Sequence, residues 1–142
     1  MPTVGQAEIR TQKRALQLLQ DKLGYDYLGD WADEPDNRNI EVEYLQKWLE
    51  GQGIEAQLIT RAISELDKAS SDASKSLYDR NKAVYDLLRY GVKIKPGHGE
   101  NTVTIWLIDW QHWDKNHFAV AEEVTVKGAD AKAATKRPDI VI

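Results

Sequence analysis

The sequence predicts an α+β protein in which N-terminal helices pack on a small, mainly antiparallel sheet. Apolar residues recur at helical spacing over the first part of the chain. After Gly91 the pattern changes to the two-residue alternation of strands. Since helices followed by neighbouring strands are typical of this class, we expect a helical part at about residues 5–90 and a strand-rich part at about residues 91–142.

Four helices are predicted, each from apolar residues that fall on one helical face. These inward residues are Ile9, Leu16, Leu19 and Leu23, then Val42, Leu45, Trp48 and Leu49, then Ile59, Ala62, Ile63 and Leu66, and lastly Leu77, Val84, Leu87 and Leu88. Gly24 is expected to end the first helix, and Asn37 or Asn39 to cap the second.

The strands are predicted from alternation. The aromatic stretch YDYLGDW reads as a short strand before the second helix, and the later candidates are VKIKP, TVTIWLID, FAVAEEVTV and RPDIVI. The β-branched run at residues 140–142 predicts a buried last strand. In the fourth stretch Glu122 and Glu123 are adjacent, so a strand directs them to opposite faces. A glutamate on the core side needs a partner or a cation, whereas an edge strand leaves both solvated.

Composition narrows the classes of protein. The chain has 142 residues, about one domain, with a net charge of −4 and no cysteine, which excludes disulfides and thiolate zinc sites. No apolar stretch has the length of a membrane-spanning helix and no signal peptide is apparent, so we expect a cytoplasmic protein without membrane contact.

The histidines raise the possibility of a zinc site and the tryptophans that of a base-stacking surface, but the sequence favours neither. His98, His112 and His117 fit no common zinc pattern. Trp residues in strands and loops more often pack in a core or at its rim than stack on nucleic-acid bases, and we expect packing here. The residues concerned are Trp31, Trp106, Trp110 and Trp113.

The C-terminal region carries the strongest candidate site. Pro138 cannot donate to a sheet and suits the first residue of a strand, which places Asp139 at the strand's beginning. A carboxylate there suits Mg²⁺, but a Pro-Asp pair taken alone is more often simply a turn before a strand. The segment before it is basic, and reads either as a solvated loop or as a phosphate-attracting patch. Its cations are Lys127, Lys132, Lys136 and Arg137.

Read together, the segments resemble the N-terminal region of the R (HsdR) subunit of type I restriction-modification enzymes. The blocks NKAVYDLLRYGV, IDW…N.F.VAEEVT and RPDIV carry the resemblance most specifically, and it covers about residues 8–142. The resemblance implies a partial restriction-endonuclease-like fold of the PD-(D/E)xK type. In the parent protein, helicase-like domains follow that use ATP to translocate DNA, and methyltransferase (M) and specificity (S) subunits complete the complex.

The resemblance also implies roles for individual residues. Pro138 and Asp139 lie on the PD element, so Asp139 is the expected catalytic residue and Mg²⁺ ligand. The Glu-x-Lys of the following strand is not present, so we expect a chain cut within its nuclease domain and inactive alone. Gln12 stands where many relatives have an acidic residue, with Glu8 one turn earlier. Many relatives have Gln at the position of Glu123, and many have Asp at the position of His117. Glu8 and Glu123 are the further candidate metal ligands.

Two other interpretations remain open from the residues. One is a non-catalytic module that binds protein through its acidic half and DNA through the basic residues Lys127, Lys132, Lys136 and Arg137. The other is a purely structural domain. A cut last strand would also expose unpaired backbone groups, so self-association through that edge is expected.

Overall fold

The computed structural model describes residues 4–34, 40–126 and 135–142 and has the predicted α+β class. Its elements in chain order are α1 (Val4–Leu23), β1 (Asp26–Asp30), α2 (Val42–Gly51), α3 (Ala56–Ser71), α4 (Leu77–Tyr90), β2 (Val92–Ile94), β3 (Val103–Ile105), a 3₁₀ turn (Trp113–Lys115), β4 (Ala119–Glu122) and β5 (Ile140–Val141). Within the described ranges, no helix has both the length and the apolar character needed to cross a membrane. The chain divides into two units, Met1–Asn39 with His117–Ile142, and Ile40–Asn116.

The Ile40–Asn116 unit is built around α3. Its core contains Leu49 of α2, Ile59, Ala62 and Leu66 of α3, Val92 and Ile94 of β2, and Ile105 and Leu107. Strands β2 and β3 pair in antiparallel register, with Val92 opposite Ile105. This is the predicted antiparallel ribbon, and Ile105 and Leu107 lie on its buried side as expected.

Gly91 joins α4 to this ribbon. Its φ of 80° lies in the left-handed region, and a Cβ there would overlap the side chain of Thr104. Only glycine permits both the backbone conformation and the close approach of the following strands.

The other unit contains a three-stranded sheet in the order β1-β4-β5. Strand β1 runs parallel to β4, and β4 runs antiparallel to β5. Leu16, Val120, Ala121 and Val124 are its buried apolar residues. Two of the three strand pairings in the described residues are therefore antiparallel, as predicted, while the parallel pairing of β1 with β4 was not predicted.

Several apolar residues assigned to inward faces are in fact exposed. They are Ile9, Leu23, Val42 and Leu77, with exposed fractions between 40% and 66%. In α1, Leu16 is buried and Leu19 half-buried, whereas Leu23 is the last residue of the helix. In α2 and α4 the exposed residue is the first of the helix. The remaining apolar residues predicted for α2, α3 and α4 do pack in or against the core.

The two ends of interest are the start of α2 and the last strand. The position before α2 is Glu41, which makes no side-chain capping bond, and the predicted caps Asn37 and Asn39 lie outside the described residues. The last strand was expected to be buried, but Val141 is 37% and Ile142 69% exposed. The physical reason is that β5 is the outer strand of its sheet, with β4 as its partner.

Candidate functional site

Asp139 immediately precedes β5, and its backbone rather than its side chain is held in place. Its carbonyl oxygen accepts hydrogen bonds from the backbone N–H of Glu123, at 2.9 Å, and from Nε2 of Gln12, at 3.4 Å. The preceding carbonyl, that of Pro138, accepts a bond from the Val124 N–H at 3.2 Å. The Asp139 side chain is exposed, and its carboxylate has no hydrogen bond or ion pair within the described residues. It is therefore available to a ligand.

Glu123 lies opposite Asp139 and has an unusual backbone. Its φ of 54° is the one positive value among non-glycine residues in the described part of the chain. The register is the same on both sides of this position, since Ala121 pairs with Val141 and Val126 with Lys136. Glu123 thus distorts the ladder without inserting a residue, and its turned amide reaches the Asp139 carbonyl.

The Glu123 carboxylate is engaged on both oxygens. Oε1 accepts a hydrogen bond from Nε2 of Gln12 at 3.2 Å, and Oε2 forms an ion pair with Nε of Arg137 at 3.1 Å. Its side chain is 25% exposed. Glu123 follows the last residue of β4. It is neither a core-facing nor a fully solvated strand residue, the two alternatives from the sequence, but is half-buried with partners for both carboxylate oxygens.

Gln12 makes α1 part of this cluster, because its amide bonds to both Glu123 and Asp139. Glu8 precedes it by four residues and so lies on the same side of the helix, one turn away. Glu8 is exposed and is not bonded to Gln12, Glu123 or Asp139. The structure therefore brings together Gln12, Glu123, Arg137 and Asp139, which we call the Asp139 cluster.

The four predicted DNA-binding cations have different positions. Lys136 is exposed, and its backbone pairs with that of Val126. Arg137 is exposed but ion-paired with Glu123. Lys127 and Lys132 lie outside the described residues.

A metal ion would find one uncommitted carboxylate in this cluster. Among the residues that the structure describes, no group of three or more His, Asp or Glu side chains is arranged to hold a metal. Mg²⁺ is commonly bound by one or two carboxylates, with water and substrate phosphate completing its shell. Asp139 fits the role of one such ligand, whereas Glu123 would first have to release Arg137.

Two further side-chain pairs in this unit were not found from the sequence. Tyr27 donates its hydroxyl to Oε2 of Glu122 at 2.8 Å, and this hydrogen bond raises the pKa of Tyr27. Nε2 of His117 lies 2.7 Å from Oδ2 of Asp26. Both pairs join β1 to the β4 segment, and only the unpredicted parallel pairing of those strands brings them together.

In the Ile40–Asn116 unit, the loop WQHWDKN is ordered by its own polar groups. The Asp109 carboxylate accepts the backbone N–H groups of Gln111 and His112 at 3.0 and 2.8 Å, and the bond from His112, with that from Gln111, lowers the pKa of Asp109. Asn116 bonds to both backbone groups of Asp109 at 2.8 Å. Asp109 and Asn116 therefore have structural roles.

The predicted packing of tryptophans holds only in part. Trp31 is half-buried, and its indole N–H donates to the Leu28 carbonyl at 3.0 Å. In contrast, Trp106, Trp110 and Trp113 are 48%, 50% and 72% exposed.

Comparison with known proteins identifies the family. No curated protein and no solved structure matched the chain significantly. Residues 6–142 match the family described as type I restriction enzyme R protein N terminus. This agrees with the resemblance carried by the NKAVYDLLRYGV, VAEEVT and RPDIV blocks, and the family fits a nuclease-like domain. Because the match spans nearly all of the 142 residues, the chain belongs to the family of type I restriction enzyme R protein N termini.

Proposed function

We propose that this chain forms the N-terminal part of the nuclease domain of a type I restriction R subunit, and that Asp139 is a catalytic metal ligand in it. The observation that supports this is the contrast within one residue. The backbone of Asp139 is fixed by two donors, while its carboxylate is exposed and unengaged in the described residues. The held backbone keeps Asp139 at the start of β5, and the unbonded carboxylate leaves its oxygens available to a metal ion.

The rest of the Asp139 cluster positions this carboxylate. Gln12 and the Glu123 amide hold the Asp139 carbonyl, and Arg137 compensates the charge of Glu123. Glu123 therefore acts as a positioning residue, and Glu8 remains the candidate for a ligand from α1. When bound, Mg²⁺ supplies charge neutralisation at the scissile phosphate and a bound water of lowered pKa. A second carboxylate and a lysine would come from a Glu-x-Lys element, which does not occur in residues 1–142.

The wider activity is that of the complete restriction enzyme. Helicase-like domains of the R subunit would use ATP to move DNA, the S subunit would recognise its sequence, and the M subunit would complete the assembly. Within this chain, the exposed Lys136 is the described cation best placed to contact DNA phosphates near Asp139, with Lys127 and Lys132 as further candidates. Arg137 would reach a phosphate only by leaving Glu123.

The test uses an R subunit that contains residues 1–142, assembled with its M and S subunits. We expect Asp139→Asn to abolish plasmid cleavage in the presence of ATP and Mg²⁺ while ATP hydrolysis continues, because the motor domains are separate from this site. Asp114→Asn is the matched control, since Asp114 is also an exposed aspartate. Cleavage by Asp139→Asn at the control rate would contradict the proposal and favour a non-catalytic binding module.

The 142-residue polypeptide gives a complementary test. We expect it to leave plasmid DNA intact with Mg²⁺, because it has Asp139 without a Glu-x-Lys partner. Robust cutting that Asp139→Ala removes would disprove this.

We also propose that β5 mediates weak self-association, since one edge of this outer strand has no partner strand in the described residues. A monomeric mass by light scattering at high concentration would exclude it.

A further inference from the structure

Helix α4 exposes a stripe of alternating aromatic and cationic side chains. Tyr78, Lys82, Tyr85 and Arg89 follow one another at intervals of four, three and four residues, so they lie within about 60° around the helix axis. Tyr78 is 74% and Tyr85 58% exposed, and the side chain of Lys82 is 60% exposed. The core-packing residues of α4 lie on its other side. We call these four residues the α4 stripe.

The α4 stripe continues into an open groove of about 560 Å³ in the same unit. Arg89 lines this groove together with Trp48, Trp106, Trp110, Gln52 and Gln111. The guanidinium carbon of Arg89 lies 5.2 Å from the centre of the Trp110 ring. The Trp110 indole N–H donates to the Leu88 carbonyl at 2.9 Å, which fixes the ring while half of its surface stays exposed.

The α4 stripe has two cations and no acid, and the carboxylate of Asp109, which lines the groove, is engaged by two backbone N–H groups. Lys82 is paired with Asp86 at 3.0 Å, whereas Arg89 has no ion pair within the described residues and contacts the rings of Tyr90 and Trp110. Exposed aromatic faces separated by cations suit a polymer that itself alternates flat rings and negative charges. In duplex DNA the bases are stacked on one another, so only a single strand can use the exposed rings.

We propose that the α4 stripe and the adjoining groove bind single-stranded nucleic acid. Bases stack on Tyr78, Tyr85 and Trp110, and phosphates lie beside Lys82 and Arg89. This site belongs to the Ile40–Asn116 unit and shares no residue with the Asp139 cluster, so it does not depend on the proposed nuclease function.

The test measures fluorescence anisotropy of a fluorescein-labelled oligodeoxythymidylate of about 12 nucleotides, a length within the usual site size, as the 142-residue chain is added. We expect saturable binding that weakens as salt rises. Tyr85→Ala should weaken binding at least about fivefold, in keeping with the loss of one stacked base. A duplex of equal length should bind at least about fivefold more weakly, because its bases cannot reach the rings.

Two controls match the variants in exposure and charge. Leu77→Ala removes an exposed apolar side chain of α4 that lies outside the stripe. Lys68→Gln removes an exposed cation of α3 that is paired with Glu65, much as Lys82 is paired with Asp86. Lys82→Gln should weaken binding and reduce its salt dependence, and Lys68→Gln should do neither. Absence of saturable binding, equal effects of Tyr85→Ala and Leu77→Ala, or equal affinity for duplex would each overturn the proposal.

Discussion

The left-handed backbone at Glu123 gives a prediction that two substitutions at one position can test. At a φ of 54° a residue with a Cβ loses about 1–2 kcal/mol, which glycine does not lose. Glycine has the opposite disadvantage that its unfolded chain is more flexible, which lowers the free energy of unfolding by about 0.5–1 kcal/mol relative to alanine. Glu123→Ala and Glu123→Gly remove the same contacts with Gln12 and Arg137. We therefore expect the glycine variant to be more stable than the alanine variant by about 0.5–1 kcal/mol.

The losses relative to the unmodified chain follow from the same contacts. The ion pair with Arg137 joins side chains that are 60% and 25% exposed, so we assign it at most about 1 kcal/mol. The hydrogen bond from Gln12 contributes about 1 kcal/mol. Glu123→Ala should thus lose about 1–2 kcal/mol of unfolding free energy, and Glu123→Gly about 1 kcal/mol or less.

The assay is urea unfolding followed by far-UV circular dichroism. With an ordinary slope for a small protein, the two midpoints should differ by about 0.5 M urea. Glu122 supplies the control, because it lies in β4 and its φ is not positive. There the order should reverse, since glycine weakens a regular strand. An alanine variant at 123 that equals or exceeds the glycine variant would refute the left-handed conformation, and with it the route by which the Glu123 amide reaches Asp139.

Three further outcomes are expected from the same structure. Gly91→Ala should lower the free energy of unfolding, measured with urea, by about 2–4 kcal/mol. The new Cβ would stand at a positive φ and overlap the side chain of Thr104 in β3. Absorbance titration should give Tyr27 a pKa above its ordinary value, so the stability from its bond to Glu122 is present below pH 10 and is lost as pH rises through the folded pKa. Glu122→Ala should reduce the rise in pKa, because the hydrogen bond to Glu122 is its largest cause, while burial and Asp30 still contribute. Asp109→Ala should lose about 1–2 kcal/mol, whereas Asp139→Ala should change stability by less than about 0.5 kcal/mol; equal losses would contradict the assigned roles.

Local patterns in the sequence predicted the parts of the fold that depend on neighbouring residues. Helix α3 has its buried Ile59, Ala62 and Leu66 where helical spacing puts them, and the ribbon of β2 and β3 follows from alternation around a short turn. The parallel pairing of β1 with β4 joins segments about ninety residues apart. Periodicity reports only which face of a segment is apolar and not which strand it pairs with, so this contact was not predictable from it.

The candidate site shows the same division. The Pro138–Asp139 pair and the start of a strand were readable, because proline restricts where it can stand in a sheet. The contact of Gln12 with Glu123 spans 111 positions in the sequence. The positive φ at Glu123 is likewise a tertiary property, since glutamate has no preference for it and the neighbouring chain must impose it.

Asp109 and Asp139 both stand at turns, but only Asp109 uses its carboxylate within the described residues. Asp109 uses its carboxylate to satisfy backbone N–H groups of its own loop, which is how a structural aspartate lowers its pKa and stabilises a turn. Asp139 precedes a strand, and Gln12 and Glu123 hold it through its carbonyl, while its carboxylate makes no bond to the other described residues. One side chain, that of Gln12, and the backbone N–H of one left-handed residue, Glu123, thus hold the Asp139 carbonyl from distant parts of the sequence. A held backbone and a carboxylate that makes no bond among the described residues support the proposal that Asp139 is a metal ligand.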